Sequence, residues 1–298
     1  MNKQSIILLL LAFSVNTDVF SQGVMGKQIK HLEQSIKLSN SISLEYVEQG
    51  PATGVPVIFL HGLSDSWHSF ETVLANLPAS VHAFAISQRG HGDSERPLEG
   101  YTPRNFAADI AAFIKKKNLQ SAFIVGHSMG GVNALQFALD YPQLASGIII
   151  IDSDPAFKDN AGMPEFLQQS LQLEGTIERP FMEEFQKSTL SQPIDTAYFN
   201  LLVDEGLKVP LRVFKDAFRG FMEVDYTNDL KKITAPVLIL WGANDGMTFR
   251  KDQQQLEKGI KNAKLIVYED TGHALHWQQP KRFADDLLTF ISESSLSK

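Results

Sequence analysis

An unbroken apolar run, Ala122-Phe123-Ile124-Val125, leads directly into Gly126-His127-Ser128-Met129-Gly130-Gly131. Few folds accommodate a short buried strand that ends in a turn with serine at its centre and glycine on both sides. The turn from strand to helix is so tight that the serine backbone is strained and its neighbours must be nearly free of side chain, a demand that glycine meets. Such a G-x-S-x-G elbow lifts the Ser128 hydroxyl out of a sheet and aims the following amides at whatever the hydroxyl attacks.

The rest of the chain supplies the sheet that this elbow requires. Residues 28–37 and 41–47 alternate apolar and polar side chains, which predicts two antiparallel strands. Continuous apolar strands are predicted at 55–60, 81–86, 121–125, 147–151, 236–241 and 264–268. Helical spacing occupies 67–77, 103–117, 131–141, 250–258 and 280–292 between them. Strands that are apolar without alternation, separated by helices, mean a parallel sheet covered on both faces. The rhythm breaks over 156–231, where Phe-, Leu- and Met-rich helical pieces at 164–173, 180–187, 196–205 and 210–222 replace strands. The expected architecture is α/β: a mostly parallel central sheet flanked by helices (22–155 and 232–298) with an inserted helical lid (156–231).

The first residues read differently. Lys3 precedes a short apolar core over 6–15, and Val19 and Ser21 stand at the two recognition positions for cleavage after Ser21. This pattern predicts a secretory signal peptide over 1–21 and export to a periplasm or the cell exterior. The apolar core is too short to serve as a spanning anchor, which needs about 20 residues, so no stable membrane anchor is expected after cleavage. Removing 1–21 takes away Lys3 and Asp18 together and leaves the formal net charge at −7. A negative chain without basic runs argues against nucleic acid as a partner. The absence of cysteine excludes a lipoprotein anchor, a cysteine nucleophile, disulfides and zinc-thiolate sites.

A serine hydroxyl needs a base within hydrogen-bond reach, and the base needs an orienting acid. Past the elbow, two predicted strand ends offer them: Asp245 in Gly242-Ala243-Asn244-Asp245, and His273 in Thr271-Gly272-His273. Asp152 and Asp154, after the strand that follows the elbow, are rival acids. An oxyanion formed at the attacked carbonyl needs two amides. Met129 supplies one, and Leu63, after the strand ending at His61-Gly62, is the candidate for the other. His61 is expected to hold its loop by hydrogen bonds, His127 to pack beneath the elbow, and Arg89 to pair internally. Substrate-pocket candidates are Trp67, Phe166, Phe181, Phe185, Phe199, Phe214 and Phe218, although Trp67 reads equally as core. No H-x-H or H-E-x-x-H cluster indicates a metal, and no cofactor is expected.

These residues together resemble the α/β-hydrolase superfamily, in its lid-bearing serine esterase-like branch. The resemblance rests on His61-Gly62 followed by Trp67, Arg89-Gly90-His91-Gly92-Asp93-Ser94, the Ser128 elbow, Gly242-Ala243-Asn244-Asp245 and Gly272-His273. It implies the chain order Ser, Asp, His for the triad. Serine at the elbow separates the chain from the branches that place aspartate there. The expected activity is cleavage of a small, apolar carboxylic ester through an acyl-enzyme. C–C bond or lactone hydrolysis on the same triad, or a ligand receptor with little turnover, are the alternatives. Fold-level resemblance does not fix the substrate.

Overall fold

The computed structural model describes residues 31–160 and 162–296. The predicted signal peptide, and the first residues of the predicted opening strand, lie outside that range. Eight strands form one sheet: β1 (Glu33–Lys37), β2 (Ser43–Gln49), β3 (Val55–Leu60), β4 (Val81–Ile86), β5 (Ala122–His127), β6 (Ala145–Ile151), β7 (Val237–Gly242) and β8 (Ala263–Tyr268). Their spatial order is β1-β2-β4-β3-β5-β6-β7-β8. β1 with β2 and β2 with β4 are antiparallel. All pairs from β4 to β8 are parallel.

The apolar strands fill both faces. In β6, Ile148 and Ile150 join one core and Ile149 and Ile151 the other. In β7, Val237 and Ile239 face opposite to Leu238 and Leu240 in the same way. This two-sided burial is why these strands read as continuous apolar runs. Each such side chain contributes roughly 1.5–3 kcal/mol by leaving water.

On one face lie α2 (Pro103–Lys116) and α3 (Met129–Asp140). Helix α2 starts at a Thr102–Asn105 capping box with Pro103 in its first turn, which satisfies amides that have no partner within the helix. On the other face lie α1 (Glu71–Leu74) and two helices that follow β8, α9 (Leu275–Gln278) and α10 (Pro280–Leu296). The predicted helix at 67–77 is shorter than its spacing suggested: a 3-10 turn at Trp67–Phe70 and one α turn. The elbow helix begins at Met129, two residues earlier than Gly131.

Between β6 and β7 the chain forms α4 (Met163–Leu171), α5 (Arg179–Ser188), α6 (Thr196–Leu207) and α7 (Leu211–Met222), with no strand among the described residues. Aromatic contacts join three of them: Phe166 of α4 and Phe218 of α7 have ring centres 5.4 Å apart, and Phe181 of α5 meets Phe214 of α7 edge-on at 6.0 Å. Helix α8 (Arg250–Gly259) follows β7 and packs beside β8. Among the described residues no helix is long and apolar enough to cross a membrane.

Candidate active site

Five parallel strands end on the same edge of the sheet, and each delivers a polar or backbone group there. β3 leads to Gly62 and Leu63, β5 to Ser128, β6 to Asp152, β7 to Asp245 and β8 to His273. The elbow has the geometry its glycines implied. Ser128 sits at φ 52°, ψ −116°, a left-handed conformation that is costly for a residue with a side chain. It is held there by its amide, which donates to Ile151 O at 2.9 Å, and by its carbonyl, which accepts from Gly131 N at 2.8 Å and Ser153 Oγ at 2.8 Å. A Cβ on Gly126 would stand 2.2 Å from Gly130 O, and one on Gly130 would stand 2.3 Å from Leu60 O. Strand and helix could not approach so closely with any side chain at either place.

His273 Nδ1 lies 2.9 Å from Asp245 Oδ2, and both residues are buried. Asp245 is itself anchored: Met247 N donates to Oδ1 at 2.7 Å and Thr248 Oγ1 donates to Oδ2. Ser128 and His273 line one cavity, together with Gly62 and Leu63. Met129 is the first residue of α3, so its N–H has no acceptor within the helix.

The rival carboxylates are engaged elsewhere. Asp152 Oδ1 accepts from Gly242 N at 2.8 Å. Burial first, and then the neighbouring Asp245 charge, hold the Asp152 carboxyl well above the usual carboxylate range. Asp154 accepts from Asn160 Nδ2 at 2.7 Å and from Gln253 Nε2 at 3.3 Å.

Of the aromatic pocket candidates, Phe166, Phe185 and Phe218 line the cavity, joined by Phe221, Met163 and Met247. Trp67, Phe181, Phe199 and Phe214 are not among its lining residues. Trp67 is buried in the second core and stacks on His68 at 3.8 Å. Phe214 is fully buried among the aromatic rings of α5 and α7. Helical spacing places these rings on the inner faces of their helices but does not say which neighbour each meets.

Three histidines cluster behind the elbow. His127 lies 5.0 Å from His273 and 4.6 Å from His276, centre to centre. His127 Nε2 donates to His273 O at 3.0 Å, which holds the loop carrying the candidate base. Burial keeps His127 well below the usual histidine range and His276 down to about 3, so both rings are neutral. His61 Nε2 accepts from Gln88 N at 2.9 Å and its Nδ1 donates to Gly62 O at 2.7 Å. Arg89 makes a two-pronged pair with Asp109 at 2.6 Å on each arm. Gln278 accepts the Gly272 amide at 2.7 Å.

Besides apolar residues such as Met163, Phe221, Met247 and Trp277, the sequence did not single out the polar cavity residues Asp65, Gln186 and Thr189. Asp65 lies three residues past Gly62, and a carboxylate so near a strand end was the available signal. Nothing local marks Gln186, which reaches the cavity only because α5 folds over it. Among the described residues no group of three or more His, Cys, Asp or Glu side chains is placed to hold a metal ion.

Residues 55–280 match the family model of the alpha/beta hydrolase fold, and the chain belongs to that family. It is 26% identical to a non-heme chloroperoxidase of Streptomyces lividans, over 86% of this chain and 99% of that protein. It is 27% identical to a bifunctional esterase/perhydrolase of Acinetobacter calcoaceticus, over 86% and 98% of the two chains. An esterase from Exiguobacterium antarcticum superposes with a TM-score of 0.79 at 20% identity, over 88% of this chain and all of that one. That last likeness establishes the shared fold.

Proposed function

We propose that the chain is an exported serine hydrolase that cleaves small, apolar carboxylic esters. Ser128 Oγ attacks the ester carbonyl and His273 accepts its proton. Asp245 holds the imidazole in the tautomer that leaves Nε2 free for this task. The amides of Leu63 and Met129 hold the oxyanion. His273 then gives its proton to the departing alcohol, and water, activated by the same ring, releases the acid. The helices over 156–231 act as a lid that supplies the apolar wall, and 1–21 act as the export signal.

One observation carries this reading: His273 Nδ1 is bonded to Asp245 Oδ2 at 2.9 Å while Ser128 and His273 share one cavity. Peroxide in place of water as acyl acceptor is a second reading, supported by the esterase/perhydrolase relative. It uses the same acyl-enzyme and yields a peracid.

Fluorophosphonate labelling, followed by a panel of p-nitrophenyl esters, lactones and vinylogous diketones, tests the proposal. Labelling at Ser128 with turnover confined to esters is the expected result. Absence of labelling, or turnover of the diketones alone, overturns it.

A further inference from the structure

Asp65 is 2% exposed and lines the cavity beside Ser128, where much of the wall is Leu63, Met163, Phe166, Phe185 and Phe218. A buried carboxyl of this kind destabilises the fold unless it is paired or fully hydrogen-bonded. Its partners, the Gly62 backbone among them, only partly offset the burial. Gln186 Nε2 donates to Oδ1 at 2.9 Å, and Ser69 Oγ reaches Oδ2 at a long 3.4 Å. No lysine or arginine lines the cavity. Burial accordingly pushes the Asp65 carboxyl up to about 6.

A second acceptor stands next to it. Because His127 Nε2 donates to His273 O, Nδ1 of this neutral ring is an acceptor. It is buried, has no hydrogen-bond partner, and lies 3.9 Å from Asp65 Oδ2. Both atoms converge on the open side of Gly62, where a Cβ would stand 2.9 Å from His127 Nδ1 and 3.3 Å from Asp65 Oδ2. The neighbouring side-chain donors are aimed at protein acceptors: Gln186 Nε2 places one of its two N–H groups on Asp65, and Thr189 Oγ1 donates to Gln186 O at 2.7 Å. Outside the proposed triad and the amides proposed for the oxyanion, and apart from the second N–H of Gln186, the polar capacity left at this end of the cavity is to accept hydrogen bonds.

We propose that Asp65 and His127 Nδ1 form an acceptor-only subsite that selects esters carrying a hydrogen-bond donor, a hydroxyl or an ammonium group, and rejects esters carrying a carboxylate. The inference rests on the esterase reading and narrows its substrate class. An ammonium entering between the two acceptors satisfies both, and a hydroxyl satisfies one of them. A plain alkyl group leaves them unpaired, and a second carboxylate meets an uncompensated negative charge.

The test uses p-nitrophenyl esters of straight-chain acids of graded length, ending in methyl, hydroxyl, ammonium or carboxylate. The readout is the ratio of kcat/KM for each polar ester to its methyl counterpart, in the wild type and in Asp65→Asn. The wild type should favour a donor-bearing ester by at least about tenfold. Asn keeps an acceptor for Gln186 but turns donors toward the cavity, so the preference should vanish or pass to the carboxylate ester. A ratio near one in the wild type, or one that Asp65→Asn leaves unchanged, overturns the proposal.

Calorimetric binding of ammonium- and hydroxyl-terminated methyl ketones against their plain alkyl counterparts to the wild-type protein gives a readout independent of turnover. Preference for the donor-bearing ketones supports the subsite even if no ester is cleaved, in which case the esterase reading alone falls. Equal binding, as when a tightly held water already fills the gap, overturns the subsite and leaves the esterase reading standing.

Discussion

Asp245 Oδ2 lies 2.9 Å from His273 Nδ1, whereas Asp152, at the end of the neighbouring strand, directs Oδ1 to the Gly242 amide at 2.8 Å. The two carboxylates therefore differ in kind. Asp245 faces the imidazole, and Asp152 holds the backbone of the loop from which Asp245 projects. Asp245→Asn should lower kcat by about 10⁴, the effect of disturbing the base's tautomer. Asp152→Asn replaces a carboxyl whose ionisation is already suppressed and should lower kcat by less than about tenfold. Steady-state kinetics on one ester decide between them, and equal losses would contradict the division.

Removing the proposed nucleophile should separate chemistry from stability. Ser128→Ala is expected to cost on the order of 10⁶ in turnover. Its melting temperature should stay within a few degrees of wild type, because the hydrogen bonds holding the elbow are made by backbone atoms and Ser153. A variant that retains activity on every accepted ester would remove Ser128 from the mechanism.

The elbow glycines should be intolerant of a single methyl group. Gly126→Ala places a carbon 2.2 Å from Gly130 O, so strand β5 and helix α3 must part. A loss of roughly 2–4 kcal/mol in unfolding free energy, together with loss of activity, is expected from denaturant titration.

Buried histidines set the acid limit of stability. His61 and His127 are held well below the usual range by burial, His91 down to about 4 and His276 down to about 3. Between pH 6.5 and those values the unfolded chain takes up protons that the native state refuses. Stability therefore falls as pH falls, by about 1.4 kcal/mol per pH unit for each ring. Asp65, raised to about 6 by burial, acts in the opposite direction. Between about pH 4 and 6 the native state holds a proton that the unfolded chain has lost, so this group destabilises as pH rises. Asp65→Asn should consequently stabilise the protein by about 3 kcal/mol above pH 7, leave it near wild type at pH 4, and steepen the acid loss between. Guanidinium midpoints from pH 4 to 8 check each sign.

Much of this protein is written locally. The β5–Ser128–α3 turn was legible because its requirements, a buried strand and neighbours without side chains, act within a few residues. The parallel sheet was legible because strands buried on both faces must be apolar at every position. His273 and Asp245 could be singled out because both follow strands and stand in the expected chain order. What the rivals Asp152 and Asp154 do instead was not legible, since they too follow a strand end and only side-chain direction shows Asp152 on the Gly242 amide and Asp154 on Asn160 and Gln253. Nor could helical spacing tell Phe166, Phe185 and Phe218, which line the cavity, from Phe181 and Phe214, which do not. The Asp65–Gln186 contact joins residues 121 positions apart. Local chemistry dictates which segments become strands, turns and helices. Which side chains from distant segments meet is decided by how the layers pack, because burial, charge and hydrogen-bond partners come into being only when those layers close.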